Sequence, residues 1–86
     1  MINKIVNEIQ VYIRDAESVK YDGVARALTS VNETGMFDIL PYHANLICIV
    51  KNYVKLYEKN GQIKEFKVDS GVLRAADNKV EVYLGV

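Results

Sequence analysis

Gly35-Met36-Phe37-Asp38-Ile39-Leu40-Pro41-Tyr42-His43-Ala44-Asn45-Leu46-Ile47 holds the chain's one proline and one histidine, and its one cysteine follows at Cys48. Pro41 fixes its own φ and biases Leu40 towards an extended conformation, so Phe37–Leu40 reads as a short strand ending at a corner. Lacking an N–H, Pro41 suits a corner or a sheet edge and not the middle of a ladder. Beyond the corner, Leu46-Ile47-Cys48-Ile49-Val50 is an uninterrupted apolar run of strand length, which predicts burial on both faces or a place near a sheet centre. Leaving one strand, turning over Pro41–Asn45 and entering the next is a way for a chain to cross from one sheet to another.

Working outward, the rest of the chain is also written in short strands. Ile9, Val11 and Ile13 alternate with Gln10, Tyr12 and Arg14, and Val80, Val82 and Leu84 alternate with Glu81 and Tyr83. A period of two marks half-buried strands. Asp15-Ala16-Glu17, Asp22-Gly23, Asn32-Glu33-Thr34-Gly35, Ser70-Gly71 and Asp77-Asn78 read as turns, with Val19–Tyr21, Val24–Val31 and Val72-Leu73 between them. Tyr53–Glu58 and Ile63–Val68 flank Lys59-Asn60-Gly61-Gln62, a hairpin signal.

The register of that hairpin follows from its faces. A two-residue Asn60-Gly61 loop pairs Leu56 with Glu65 and Val54 with Lys67, mixing apolar and charged groups on one face. A three-residue loop, Lys59–Gly61 with Gly61 left-handed, pairs Val54 with Phe66 and keeps Val54, Leu56, Phe66 and Val68 together, so this register is expected. Turns every eight to twelve residues without amphipathic helices predict an all-β domain, a small two-layer antiparallel sandwich or flattened barrel of eight to ten short strands.

Composition bounds the class. Eighty-six residues, half of them apolar, make one domain over 1–86 with one core and no linker. One cysteine forms no internal disulfide, which fits a reducing compartment or an inert thiol. Met1–Val6 is followed by no long apolar stretch, so no signal peptide is expected, and a five-residue apolar run is far short of the roughly 20 residues that span a bilayer. Net charge is zero from 11 basic and 11 acidic side chains. Residues 51–86 carry seven Lys/Arg against five Asp/Glu, and residues 1–50 four against six. Nucleic-acid modules show a far stronger basic bias, so the lysines read as a solvated sheet face that discourages edge pairing.

No pattern of catalysis stands out. There is no phosphate-cradling Gly-Lys-Ser, no nucleophile elbow and no paired metal-ligand spacing. His43 has no second histidine or cysteine to complete a metal set, and reads first as a turn-stabilising group. Cys48, in its apolar run, reads as a core residue. Met36, beside a glycine turn, either packs inward or meets a partner. Six tyrosines without a tryptophan leave open a second reading, a free-standing sandwich that binds a peptide or small ligand through exposed tyrosines.

The stretch Glu33 to Ile47 resembles the signature of the epsilon subunit of F-type ATP synthase (called delta in mitochondria), which runs roughly Glu-Gly-x-aromatic-x-Ile-Leu-Pro-Gly-His-Ala-Pro-Leu. Upstream, Ala16-Glu17 and Tyr21-Asp22-Gly23 match its Ala-Glu and Phe-x-Gly elements. Downstream, Asp69-Ser70-Gly71-Val72-Leu73 and Asn78-Lys79-Val80-Glu81-Val82 match Gly-Gly-Val-Leu and Asn-x-Val-x-Val. The resemblance runs in order from about Ile9 to Leu84, with departures at Thr34, Tyr42, Asn45, Asn52-Tyr53 and Ser70.

What the resemblance implies is a noncatalytic rotor subunit of a proton- or sodium-translocating synthase. It would link the gamma subunit to the c-ring, peripheral on the cytoplasmic face of the membrane or its organelle equivalent, without inserting into the bilayer. Thr34, Gly35 and Met36 would match the ring-facing loop, with Tyr42 and His43 in the following corner, and Asp15, His43 and Cys48 would match positions near gamma or the ring. No cofactor or metal is implied. Family members continue into a helical hairpin that carries ATP binding and inhibition, so a chain ending after its last strand is expected neither to bind ATP tightly nor to act as a brake.

Overall fold

The computed structural model describes residues 7–42 and 44–85, and His43 therefore lies outside the described residues. Seven strands form among the described residues: β1 (Ile9–Arg14), β2 (Val19–Ala25), β3 (Ala27–Asn32), β4 (Gly35–Ile39), β5 (Leu46–Tyr57), β6 (Ile63–Ala76) and β7 (Lys79–Leu84). No helix occurs among the described residues. The strands make one continuous sheet in the order β2-β1-β7-β6-β5-β3-β4.

That sheet folds on itself because β5 and β6 each serve twice. Residues Leu46–Val50 of β5 pair with Gly71–Ala75 of β6, whereas Asn52–Tyr57 pair with Ile63–Val68. The first half of the pair continues through β7, β1 and β2, and the second through β3 and β4. Between the halves the ladder slips from Val50↔Gly71 to Asn52↔Val68, and Asn52 takes φ 70°. A bulge of this kind bends and twists both strands. One layer is then β2-β1-β7 with the later half of β6 and the early half of β5, and the other is the early half of β6 with the later half of β5, β3 and β4.

The inner faces of both layers meet in one core. Ile9, Val11 and Ile13 of β1, Leu73 and Ala75 of β6, and Val80 and Val82 of β7 join Leu28, Ile39, Val54, Leu56 and Val68 from the other layer. Each Ile, Leu or Val among them contributes about 1.5–3 kcal/mol on burial. The alternation read in β1 and β7 is the alternation observed. Ser30 is a polar member with no exposure, and its hydroxyl donates to Tyr53 O at 2.7 Å, which offsets the desolvation of a buried hydroxyl. Across the layers, Tyr21 packs edge-on against Phe66 and its hydroxyl lies 3.0 Å from Glu58 Oε2.

The expected sandwich is present, with fewer and longer strands than the eight to ten predicted. Ser70-Gly71 and Asp22-Gly23, read as turns, lie inside β6 and β2. Gly71 is needed for another reason: a Cβ there would stand 3.0 Å from Tyr83 O and 3.2 Å from Leu84 Cδ2, closer than packing allows without movement. One pairing is parallel, β1 with β7, because the chain crosses the second layer between them. The apolar run Leu46–Val50 is not buried on both faces: Ile47 is 70% exposed and Ile49 63%. The outer face of their layer has no further layer over it among the described residues, and this half of β5 is at its margin.

The β5–β6 hairpin takes the three-residue loop. Val54 pairs with Phe66 and Tyr57 with Ile63, Gly61 N donates to Glu58 O at 3.0 Å, and Gly61 sits at φ 88°. Nothing lies within 4 Å of a Cβ built there, so the demand for glycine is conformational and not steric. Gly61→Val is expected to destabilise the domain by about 1–3 kcal/mol, lowering Tm by about 4–8 °C per kcal/mol, measured by thermal melting.

The β6–β7 loop is the two-residue Asp77-Asn78, at φ 52° and 61°, a conformation of type I′ that matches strand twist. Asn78 also fastens the neighbouring segments. Its Nδ2 donates to Glu8 O at 2.7 Å, its Oδ1 accepts from Tyr42 N at 3.0 Å, and its backbone O accepts from Gln10 N at 3.1 Å. Asn78→Ala removes both side-chain bonds and is expected to lose about 1–3 kcal/mol. Asn78→Gly keeps the backbone conformation and isolates the contribution of the bonds in the same denaturant titration.

Candidate functional site: an apolar end of the sandwich

The β3–β4 turn is short because Asn32 pairs with Gly35. Asn32 Oδ1 accepts both Thr34 N at 2.9 Å and Thr34 Oγ1 at 2.7 Å. The polar groups of the turn are thereby occupied locally, and Gly35 continues at φ 122°. Met36, next along, projects with 71% of its surface exposed.

Beside this turn the strand β3 stops pairing with β5 at Val31↔Lys51. An open groove of about 490 Å³ forms there, lined by Asn32, Glu33 and Thr34 on one wall and Ile47, Cys48, Ile49 and Lys51 on the other. Cys48 is half-buried against the core. Burial pushes its thiol above the ordinary range, while the Asn32 amide beside it pulls the other way. A raised thiol pKa disfavours the thiolate, and Cys48 packs against the core.

Of the residues singled out in the sequence, Thr34 and Cys48 meet in the groove, with Gly35 and Met36 adjoining. Asp15 follows β1 at the same end of its layer, since the pairings Arg14↔Tyr83, Val72↔Tyr83 and Ile49↔Val72 form one row. Tyr42 is elsewhere: held to Asn78 at the opposite end, it takes φ 61° and is 63% exposed.

Asp15 uses its carboxylate within its own loop. Oδ1 accepts from Ser18 N at 2.9 Å and Glu17 N at 2.8 Å, and Oδ2 lies 3.3 Å from Lys20 Nζ. The Ser18 and Glu17 amides hold its pKa below the ordinary 3.8, with Lys20 adding to them.

The sequence missed Ile47 and Ile49 as surface residues, together with the walls Asn32 and Lys51. The available signal was the absence of any charge from Leu46 to Val50, which is as characteristic of a contact surface as of a core. The tyrosine-face reading finds little support, because Tyr12, Tyr21, Tyr53 and Tyr57 are half-buried and only Tyr42 and Tyr83 are exposed. Among the described residues no three His, Cys, Asp or Glu side chains cluster to hold a metal ion.

The profile of a family described as ATP synthase, Delta/Epsilon chain, beta-sandwich domain matches residues 8–84. The chain belongs to that family. It is similar to the ATP synthase epsilon chain of Leptospira borgpetersenii, 28% identical over 76 residues, and to that of Leptospira interrogans, 26% identical over 76. Each alignment covers 88% of this chain and 60% of the relative, so the chain spans well under two thirds of the curated relatives it matches. Two solved structures share the fold. A chain of the Euglena gracilis mitochondrial ATP synthase (OSCP/F1/c-ring) superposes with TM-score 0.85 at 13% identity, covering 95% of this chain and 53% of that one. A chain of the Tetrahymena thermophila mitochondrial ATP synthase (central stalk/c-ring) gives 0.71 at 15%, covering 90% and 63%. The delta/epsilon sandwich therefore extends across nearly the whole of this sequence.

Within that domain the Asp15 loop gives a pH-dependent test. A carboxylate whose pKa falls on folding adds stability above 3.8 and loses it as pH falls through the lowered folded value. Asp15→Asn is expected to be less stable than the parent near neutrality and to show a flatter decline on acidification, measured by denaturant titration across the acid range.

Proposed function

We propose that the chain acts as a noncatalytic central-stalk subunit of an F-type ATP synthase, linking the gamma subunit to the c-ring and supporting coupled ion transport. The observation that carries the reading is the delta/epsilon family match over residues 8–84, and the end of the sandwich carrying Met36, Ile47 and Ile49 is the surface suited to it. A rotor adaptor needs a stiff body and exposed groups that gain from burial. The continuous sheet gives the first, and three apolar side chains exposed by 63–71% give the second. In this reading Thr34, Gly35 and Met36 face the ring, while Asp15, Cys48 and the β5 margin lie towards gamma. Tyr42 belongs to the other end, fastened to Asn78, and carries a separate contact.

The protein then associates peripherally, on the cytoplasmic side or its organelle equivalent, through its protein partners and not by insertion into lipid. Its work is mechanical, with no bond made or broken by its own side chains.

Co-purification with the gamma subunit from the same source tests the assignment. For the ring-facing loop, Met36→Glu and Thr34→Lys are expected to lower proton or sodium pumping per ATP hydrolysed in reconstituted vesicles. Thermal melting should change little, because both side chains are exposed. Full coupling with both substitutions removes that loop from the ring contact.

A further inference from the structure

We propose that the margin of β5 at Leu46–Val50 is a strand-addition site, which takes an extended segment of a partner polypeptide as an additional strand. The inference rests on the groove described above, but it names a mode of engagement that does not depend on which protein supplies the strand.

Folding the sheet into two layers creates four margins: β2 and the early half of β5 in one layer, β4 and the early half of β6 in the other. Sheet margins offer unpaired backbone groups to any passing chain, and proteins blunt them with charge, proline or bulges. Three of the four are treated so. β2 carries Lys20 and Asp22, the β6 margin carries Lys64, Glu65 and Lys67, and β4 carries Asp38 with Pro41 beyond its end. Leu46–Val50 carries no charge and no proline.

The direction of its backbone groups follows from the hydrogen-bond alternation. Gly85 N donates to Ser70 O at 2.8 Å, so that pair, and every second pair after it (Val72 with Tyr83, Arg74 with Glu81, Ala76 with Lys79), exchanges bonds with β7. The intervening residues Gly71, Leu73 and Ala75 then face β5 and bond Val50, Cys48 and Leu46. The N–H and C=O groups of Ile47 and Ile49 are left pointing to the open side. There, beyond Val31↔Lys51, no strand among the described residues pairs with them.

The groove supplies the rest of a strand site. Its lining brings Ile47, Cys48 and Ile49 of the free edge together with Asn32, Glu33 and Thr34 of the β3–β4 turn. Lys51 and Glu33 border it, and neither has an ion pair among the described residues. The occupant that fits is an extended segment with apolar side chains at alternate positions and an acidic side chain near Lys51. Main-chain bonds provide attachment, and the alternate side chains provide selectivity.

The test reads the amides of Ile47 and Ile49 by NMR-detected hydrogen exchange. In the chain alone both should exchange rapidly, whereas those of Cys48 and Val50 are protected. Two probes are added separately: the gamma subunit of the same source, and a short capped peptide of alternating valine and threonine ending in glutamate. Slowing of the Ile47 and Ile49 amides by about tenfold or more with either probe supports the inference. A gamma complex in which both amides still exchange freely, with no protection by the peptide either, overturns it and leaves the rotor assignment standing. Absence of a gamma complex together with protection by the peptide does the reverse.

No protection from either probe overturns strand addition outright. Protection that rises with the concentration of the chain alone, with a doubled mass, makes a second copy the occupant and overturns the partner proposed. Ile49→Pro deletes one outward N–H without touching the β6 ladder, and should weaken binding roughly fivefold or more relative to Ile49→Thr, which retains it. Equal binding by the two variants, with equal melting temperatures, overturns the main-chain bond.

Discussion

Everything in this domain depends on two strands serving two layers. β5 and β6 run without a break from one side of the sandwich to the other, and the slip at Val50/Asn52 against Val68/Gly71 is what allows it. A flat pair of this length would leave half its apolar side chains without a core. The bend turns the inner face of each half towards the other, so Val54 and Leu56 reach the same cluster as Leu73 and Ala75. Two local conditions accompany the bend: Asn52 in the left-handed region, which asparagine tolerates better than most residues, and Gly71, where a Cβ would crowd the β7 backbone at Tyr83 O.

The same bend makes the groove. Because β3 follows only the later half of β5, its last pair is Val31↔Lys51, and the β3–β4 turn departs just where β5 changes layers. The polar groups of that end are consumed locally: Thr34 by Asn32, Asp15 by its own loop. What projects outward between the charged borders Glu33 and Lys51 is apolar, Met36, Ile47 and Ile49, and a surface of that kind gains from being covered.

Much of this was legible in the residues. Period-two alternation located β1 and β7, and keeping Val54 and Phe66 on one face was enough to choose the hairpin register, because a one-residue slip inverts a face. The failures share a cause. Asp22-Gly23 and Ser70-Gly71 look like turns by composition, yet tertiary pairing continued the ladder through both. Leu46–Val50 looks buried because hydropathy cannot distinguish a core strand from an uncovered one, and only the topology places it at a margin. The site was legible in part. Thr34 and Cys48, drawn from the resemblance, do share a groove, but Ile47 and Ile49 belong to it through three-dimensional arrangement and carry no motif. Asp15 was found by its position and proves to be occupied within its own loop, and Tyr42 lies at the other end because the β6–β7 turn captures it.

The parallel pairing of β1 with β7 has a consequence for how the molecule comes into being. Val11 meets Val80, 69 positions further along the chain (80 minus 11). Contacts so distant are slow to form, since the loop between them must be ordered first. During synthesis at about 5–20 residues per second, β1 waits roughly 3–14 s for its neighbour to be made. Through that interval Ile9, Val11 and Ile13 have only β2 beside them, and a two-stranded hairpin is marginal in water. Birth on the ribosome is therefore the stage at which this small protein is most open to chaperone capture or mispairing.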